Sequence, residues 1–291
     1  MPKNILTIDV GHSAVKVSVY APDGRCLFAQ EKECPPTLAE DRDEQDAEKW
    51  RQAVNDLMRA ASREVPSETA AIEAIGITGT MRSIVLVDKH NNPVGPAILF
   101  QDRRAEAQYE KIQNEISPAR ILSLTGQRLS PRSVPARLRW IAENEPERLK
   151  NTRFILAPKD FIRLHLTGIA ATDPTDAAAL QLYSLRENKW HEALCNCAGI
   201  SSDILPPVQR STETAGSPSR ASAGPRTGLQ CLRGFAGSPG APCRPCAASR
   251  SPRRPAAAGG ADGVCEACWN RYSCFCLRFQ PRSDLAPQTF S

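Results

Sequence analysis

Two groupings in this 291-residue chain place reactive residue types at spacings that could do chemistry. The first is Asp9 with Gly11-His12-Ser13. A carboxylate at the end of an apolar run, followed by glycine and small residues whose amides can point outward, suits a metal-bound phosphate. The amides make an anion-binding nest, and the carboxylate orients the metal or its waters. The same residues also fit an ordinary surface hairpin with a glycine turn. The second grouping is Cys243-x2-Cys246 and Cys265-x2-Cys268, eighteen residues apart, which is the spacing of a four-cysteine zinc site. With the arginines around it, such a module would bind nucleic acid. Against it, the residues between the two pairs offer almost no β-branched or aromatic side chains from which to build a ribbon.

The elements that must position Asp9 are legible on either side of it. The apolar runs ILTIDV and VKVSVY flank the glycine turn and predict a β-hairpin at the start of the chain. Asp23-Gly24 turns into a third strand over 26–31. From Asp46 to Glu64, Ala47, Trp50, Val54, Leu57, Met58 and Ala61 recur near helical period, and Pro66 ends the run. Strands are expected over 72–77 and 84–88, with a short extended run over 97–100. Between Arg103 and Lys150 the pattern is helical and polar, broken at Pro118, at Pro131 and Pro135, and at Pro146. A brief strand over 154–156 precedes a helix over 159–166 that stops at Gly168. Three adjacent strands, a helix and further strands predict an α/β domain with a mixed sheet rather than regular βαβ alternation.

Composition divides the chain in two. Residues 217–291 contain no Lys, no Ile, one Val, nine Pro, ten Arg and seven of the eleven Cys. Their acidic residues are Asp262, Glu266 and Asp284, so this tail carries +7 and the preceding 216 residues −2. The body therefore gives no electrostatic reason to expect nucleic acid. It has four scattered Cys, no signal peptide and no apolar run long enough to span a bilayer, so no membrane partner is expected and a cytoplasmic location is. Cys195 and Cys197, one residue apart, read as reduced helix thiols.

Five blocks of sequence, taken in order, resemble the FGGY carbohydrate kinases, most of all the xylulokinases. ILTIDVGHSAVKVSVY (5–20) looks like that family's phosphate hairpin. Gly76-Ile77-Thr78-Gly79-Thr80-Met81-Arg82 resembles a sugar-contacting segment. Pro96-Ala97-Ile98-Leu99-Phe100-Gln101-Asp102-Arg103-Arg104 is similar to a second one, with a glycerol-kinase wording at Gln-Asp-Arg-Arg. The stretches 156–163 and 172–178 match two further blocks. The resemblance implies a ribonuclease-H/actin-like α/β domain over residues 1–215 and ATP-dependent phosphorylation of a sugar, such as a ketose like xylulose, or of a polyol hydroxyl, with Mg2+. By resemblance Asp9 organises the Mg2+-nucleotide, Gly11, His12 and Ser13 cradle its phosphates, and Lys16 adds a cation. Thr80, Met81, Arg82 and Asp102 fall where the family contacts its substrate. Each has a plainer reading: Lys16 as a solvated strand residue, Met81 as core, Asp102 as the N-cap of a helix starting near Arg103.

Two departures bear on the substrate. His12 stands where these kinases usually carry Thr. Arg82 stands where xylulokinases place His and glycerol kinases an acid. A guanidinium there suits a carboxylate- or phosphate-bearing sugar, or pairs with a nearby acid. The family has two actin-like domains, which together hold the nucleotide; a homodimer is among the assemblies expected of this chain. The second domain is expected to be missing here, because residues 216–291 read as a disordered tail resembling a GC-rich gene translated out of frame. Within it, Ala256-Ala257-Ala258-Gly259-Gly260-Ala261-Asp262-Gly263-Val264 resembles the turn carrying the family's general base, which would make Asp262 the catalytic carboxylate.

Overall fold

The computed structural model describes residues 3–214, Gly216 and, by backbone alone, Ser273–Arg278. The zinc-spaced cysteines and Asp262 lie outside the described residues. Strands β1 (Asn4–Val10) and β2 (Ala14–Tyr20) form the expected hairpin, with β3 (Cys26–Glu33) antiparallel to β2. Two short strands, β4 (Thr37–Leu38) and β5 (Asp43–Gln45), lead to α1 (Ala47–Glu64), whose N-cap is Asp46; its carboxylate accepts from the Glu48 amide. After α2 (Pro66–Ala70), β6 (Ile72–Gly79) returns parallel to β1, with Asp9 in register with Thr78.

The sheet is thus mixed, in the order β3-β2-β1-β6 plus one edge strand. Leu6, Ile8, Val10, Val15, Val17, Val19, Ile75 and Ile77 share one buried face, and Trp50, Val54, Leu57 and Met58 of α1 pack on it. Alternation then puts Thr7, Asp9, Lys16, Ser18 and Thr78 on the opposite, less buried face.

The chain next builds a second, smaller core. Strands β7 (Val85–Val87) and β8 (Ala97–Ile98) are followed by α3 (Glu106–Glu115), α4 (Pro118–Thr125), α5 (Val134–Asn144) and α6 (Pro146–Lys150). Pro118, Pro135 and Pro146, read from sequence as interruptions, sit in the first turns of new helices, where a missing N–H costs nothing. Strand β9 (Phe154–Leu156) pairs with β7, and α7 (Pro158–Thr167) ends at Gly168 in the left-handed region, φ 76°. Helix α8 (Pro174–Ala179), the hairpin β10 (Tyr183–Ser184) and β11 (Lys189–Trp190), and α9 (Glu192–Cys197) complete the body. The α9 thiols are free, with Cys195 buried. Val85, Val87, Ala97 and Leu99 face the sheet core, while Ile84, Leu86 and Ile98 face the second core with Leu124, Leu138 and Ile141.

The fifth strand of the sheet is β12 (Ser273–Arg278), antiparallel on the outer edge of β6. It falls in a tail whose side-chain pattern predicts no strand. Edge pairing rests on main-chain hydrogen bonds, which side-chain periodicity does not report. No helix among the described residues is long and apolar enough to cross a membrane.

Candidate active site

The C-terminal ends of β1 and β6 bring together most of the residues named from sequence. Asp9 lies one residue before the end of β1, opposite Lys16 on β2 and beside Thr78 on β6. Its Oδ1 is buried with no hydrogen-bond partner, and so is the Thr78 hydroxyl. Burial pushes the Asp9 carboxyl above its ordinary 3.8, and Lys16 offsets part of that rise. Two oxygens stripped of water and given no protein donor suit a hard divalent cation or its waters. The pair could therefore hold the Mg2+ that the sequence resemblance implies, and Thr78 is not among the residues assigned a role from sequence. It lies inside the 76–82 block, and the alternation of β6 puts it on the Asp9 face.

The turn after β1 is built as expected, with one division of labour. Gly11 N–H closes the turn on the Ala14 carbonyl at 3.0 Å, and a Cβ on Gly11 would sit 2.8 Å from that oxygen. Gly11 therefore shapes the turn. The amides of His12 and Ser13 have no protein acceptor among the described residues and remain for an anion. His12 reaches across to β5: its Nε2 lies 3.2 and 3.3 Å from the two Asp43 oxygens, and its ring meets Phe100 edge-on. Asp43, nearly inaccessible, also accepts from the Gln101 amide at 3.3 Å. The imidazole thus ties the phosphate turn to the 100–104 loop, a link that neither residue type nor spacing announces.

That loop is organised around Asp102. Its carboxylate is wholly buried, held by Arg104 through Nε at 2.9 Å and Nη2 at 2.7 Å, and accepts from the Asp43 amide at 2.9 Å. Helix α3 starts at Glu106 with Ala105 as its N-cap, so the helix-cap reading of Asp102 is wrong: the chain needs three further residues to clear the Arg104 pair before it can coil. Thr80 is anchored by its amide and hydroxyl to the Val10 carbonyl, at 3.0 and 2.9 Å. Met81 is half-buried and belongs to neither core, so the core-packing reading of it does not hold either. Arg82 is exposed with a left-handed backbone, φ 58°. Beneath both loops lies Arg137, fully buried, donating to the carbonyls of Leu99 at 2.6 Å and of Arg82. Burial lowers its pKa to about 10, opposed by Asp102, and it stays cationic at neutral pH.

Placing an unpartnered carboxylate in a dehydrated pocket has a measurable cost. Because the folded-state pKa of Asp9 is raised, folding favours the neutral acid, and stability falls as pH rises through that value. Asp9→Asn is accordingly expected to melt above the parent at pH 7. The gap should close as pH falls far enough to protonate the parent's own carboxyl. Differential scanning calorimetry across acid pH checks both parts.

These features can be set beside known proteins. The description "FGGY family of carbohydrate kinases, N-terminal domain" matches residues 4–230. A xylulose kinase of Bacillus subtilis is 30% identical over 218 residues, 74% of this chain and 43% of that protein. An L-xylulose/3-keto-L-gulonate kinase of Escherichia coli is 30% identical over 215 residues, again 43% of its length. The crystal structure of xylulose kinase from Rhodospirillum rubrum superposes with TM-score 0.74 at 20% identity, over 78% of this chain and 46% of that one. The chain thus spans less than half the length of the curated proteins it matches. With the hairpin, the Asp9 pocket and the two loops in the order the resemblance requires, the chain belongs to the FGGY family of carbohydrate kinases.

Proposed function

We propose that this chain provides the sugar-side half of an ATP-dependent kinase that phosphorylates a hydroxyl of a sugar or polyol in the cytoplasm. The observation that carries the reading is the buried, unpartnered Asp9 Oδ1 at the mouth of a turn whose His12 and Ser13 amides lack acceptors. ATP with Mg2+, when bound, supplies the γ-phosphoryl group and the charge that neutralises it. Asp9 and Thr78 would hold the cation, and the two amides would take phosphate oxygens, with Lys16 adding positive charge from β2. Thr80, Met81 and Arg82 would line the sugar. Asp102 works from beneath, fixing the 100–104 loop through Arg104 and Asp43. Asp262 is the residue offered as general base, accepting the proton of the attacking hydroxyl.

The test is carbohydrate binding by the full chain, measured by isothermal titration against D-xylulose, D-ribulose, xylitol, glycerol and D-gluconate. At least one should give saturable heat. Asp43→Ala, which cuts the His12 tie and the Gln101 amide contact, should weaken that ligand about tenfold, the value of one or two lost charge-assisted hydrogen bonds. Absence of saturable binding across the panel overturns the reading.

A further inference from the structure

Arg82 is the one charged group among the proposed sugar contacts that the fold holds without neutralising. Its backbone adopts φ 58°, a conformation that a long L side chain rarely takes and that persists where its surroundings impose it. The surroundings here are specific. The Arg82 carbonyl is pinned by the buried Arg137, and Thr80, two residues earlier, is pinned to Val10. The guanidinium Nη2 donates to Gln127 Oε1 at 3.1 Å. Gln127 is itself fixed: its Nε2 donates to the Ala178 carbonyl at 2.9 Å, which orients Oε1 toward Arg82. Its amide and carbonyl are bracketed by the buried Thr125 hydroxyl, both at 3.1 Å.

A neutral acceptor thus aims the guanidinium while leaving its full charge in place. Among the described residues no carboxylate lies within ion-pair distance of Arg82, and Asp102 and Glu44 are both taken up by Arg104. One donor is spent on Gln127, and the remaining N–H groups keep the planar fork that matches a carboxylate bidentately. A neutral ketose or polyol offers only hydroxyls, which do not repay the desolvation of an unpaired cation. We infer that Arg82 is a specificity-determining residue and that the substrate is a carboxylate-bearing sugar, an aldonic or keto-aldonic acid, rather than a neutral one. This rests on the kinase reading above.

The experiment titrates the full chain with D-gluconate and 2-keto-D-gluconate, with D-xylulose as the neutral probe and D-xylulose 5-phosphate as the phosphate probe. At least one sugar acid should bind ten times more tightly than D-xylulose. Arg82→Met should remove that advantage, weakening the acid at least fivefold more than it weakens D-xylulose, and Arg82→Lys should keep part of it. Raising the salt from low to high should weaken the acid and leave D-xylulose unmoved, because only a charged pair is screened. The inference is overturned if D-xylulose binds as tightly as the acids, if Arg82→Met weakens both equally, or if the phosphorylated sugar alone responds; the kinase reading survives all three. If no carbohydrate binds at all, both fall together.

Discussion

Incubated with Mg·ATP and a panel of ketoses, polyols and sugar acids, the 291-residue polypeptide is expected to release ADP no faster than its sugar-free control. Phosphoryl transfer asks little covalent chemistry of a protein and much positioning: the γ-phosphoryl group must lie in line with the acceptor hydroxyl. Well-held geometry accounts for about 7–11 kcal/mol of barrier in comparable reactions, so losing it removes many powers of ten in rate. In the body of this chain, nucleotide can touch the Asp9 pocket and the His12-Ser13 amides, and the roles assigned among the described residues stop at the phosphates and the sugar, with none for the adenosine. A coupled assay for ADP decides the matter. Sugar-dependent release abolished by Asp9→Ala would show that the polypeptide completes the site by itself or by assembling with another copy.

The largest loss of stability is expected from Lys159→Met. Lys159, at the second position of α7, is almost wholly buried. Its ammonium lies 2.8 Å from Asp160, 2.9 Å from Asp173 and 3.0 Å from Asp176. Asp173 in turn caps α8 through the amides of Thr175 and Asp176. Burial works against the charge on Lys159, but Asp160, Asp176 and Asp173 outweigh it and raise the ammonium's pKa. A raised lysine pKa gives stability that is fully present below the unfolded value and is lost only as pH rises through the folded one. The contribution is therefore flat across the neutral range. Removing the cation takes the nearest countercharge from three buried carboxylates, with Arg163 the remaining buried cation acting on Asp160 and Asp173, at a cost of about 3–5 kcal/mol, or on the order of 10 °C in melting temperature. A shift below about 2 °C in thermal unfolding would contradict this account of how α7 and α8 are joined.

Local pattern and blocks in order were enough to place the hairpin, α1, β6 and the α7 stop at Gly168, because each is written in contiguous residues: alternation, helical spacing, a following proline, a terminal glycine. The site was legible only where it is contiguous too. Asp9, Gly11, His12 and Ser13 announce themselves. Asp43, Thr78, Gln127 and Arg137 do not, since their roles arise from contacts across 31 to 69 residues of chain. The blocks 156–163 and 172–178 matched in sequence without any role attached, and folding reveals why both are needed: they supply the two halves of the Lys159 cluster. Asp102 misled because an acid just ahead of a helical stretch resembles a cap, whereas its pairing with Arg104 postpones the helix.

The short strands β7 and β8 belong to both hydrophobic cores, turning Val85, Val87, Ala97 and Leu99 to one and Ile84, Leu86 and Ile98 to the other. A wall shared in this way has no private route to open: exposing its amides to solvent deuterium requires the packing on both sides to give way. In native-state hydrogen exchange the Val85–Val87 amides would report the free energy of the whole body, with the hairpins and short helices around them exchanging through cheaper, partial openings. The Met81–Arg82 and Phe100–Asp102 loops spring from the ends of that wall, so the groups that would meet a sugar are mounted on the slowest-breathing part of the molecule.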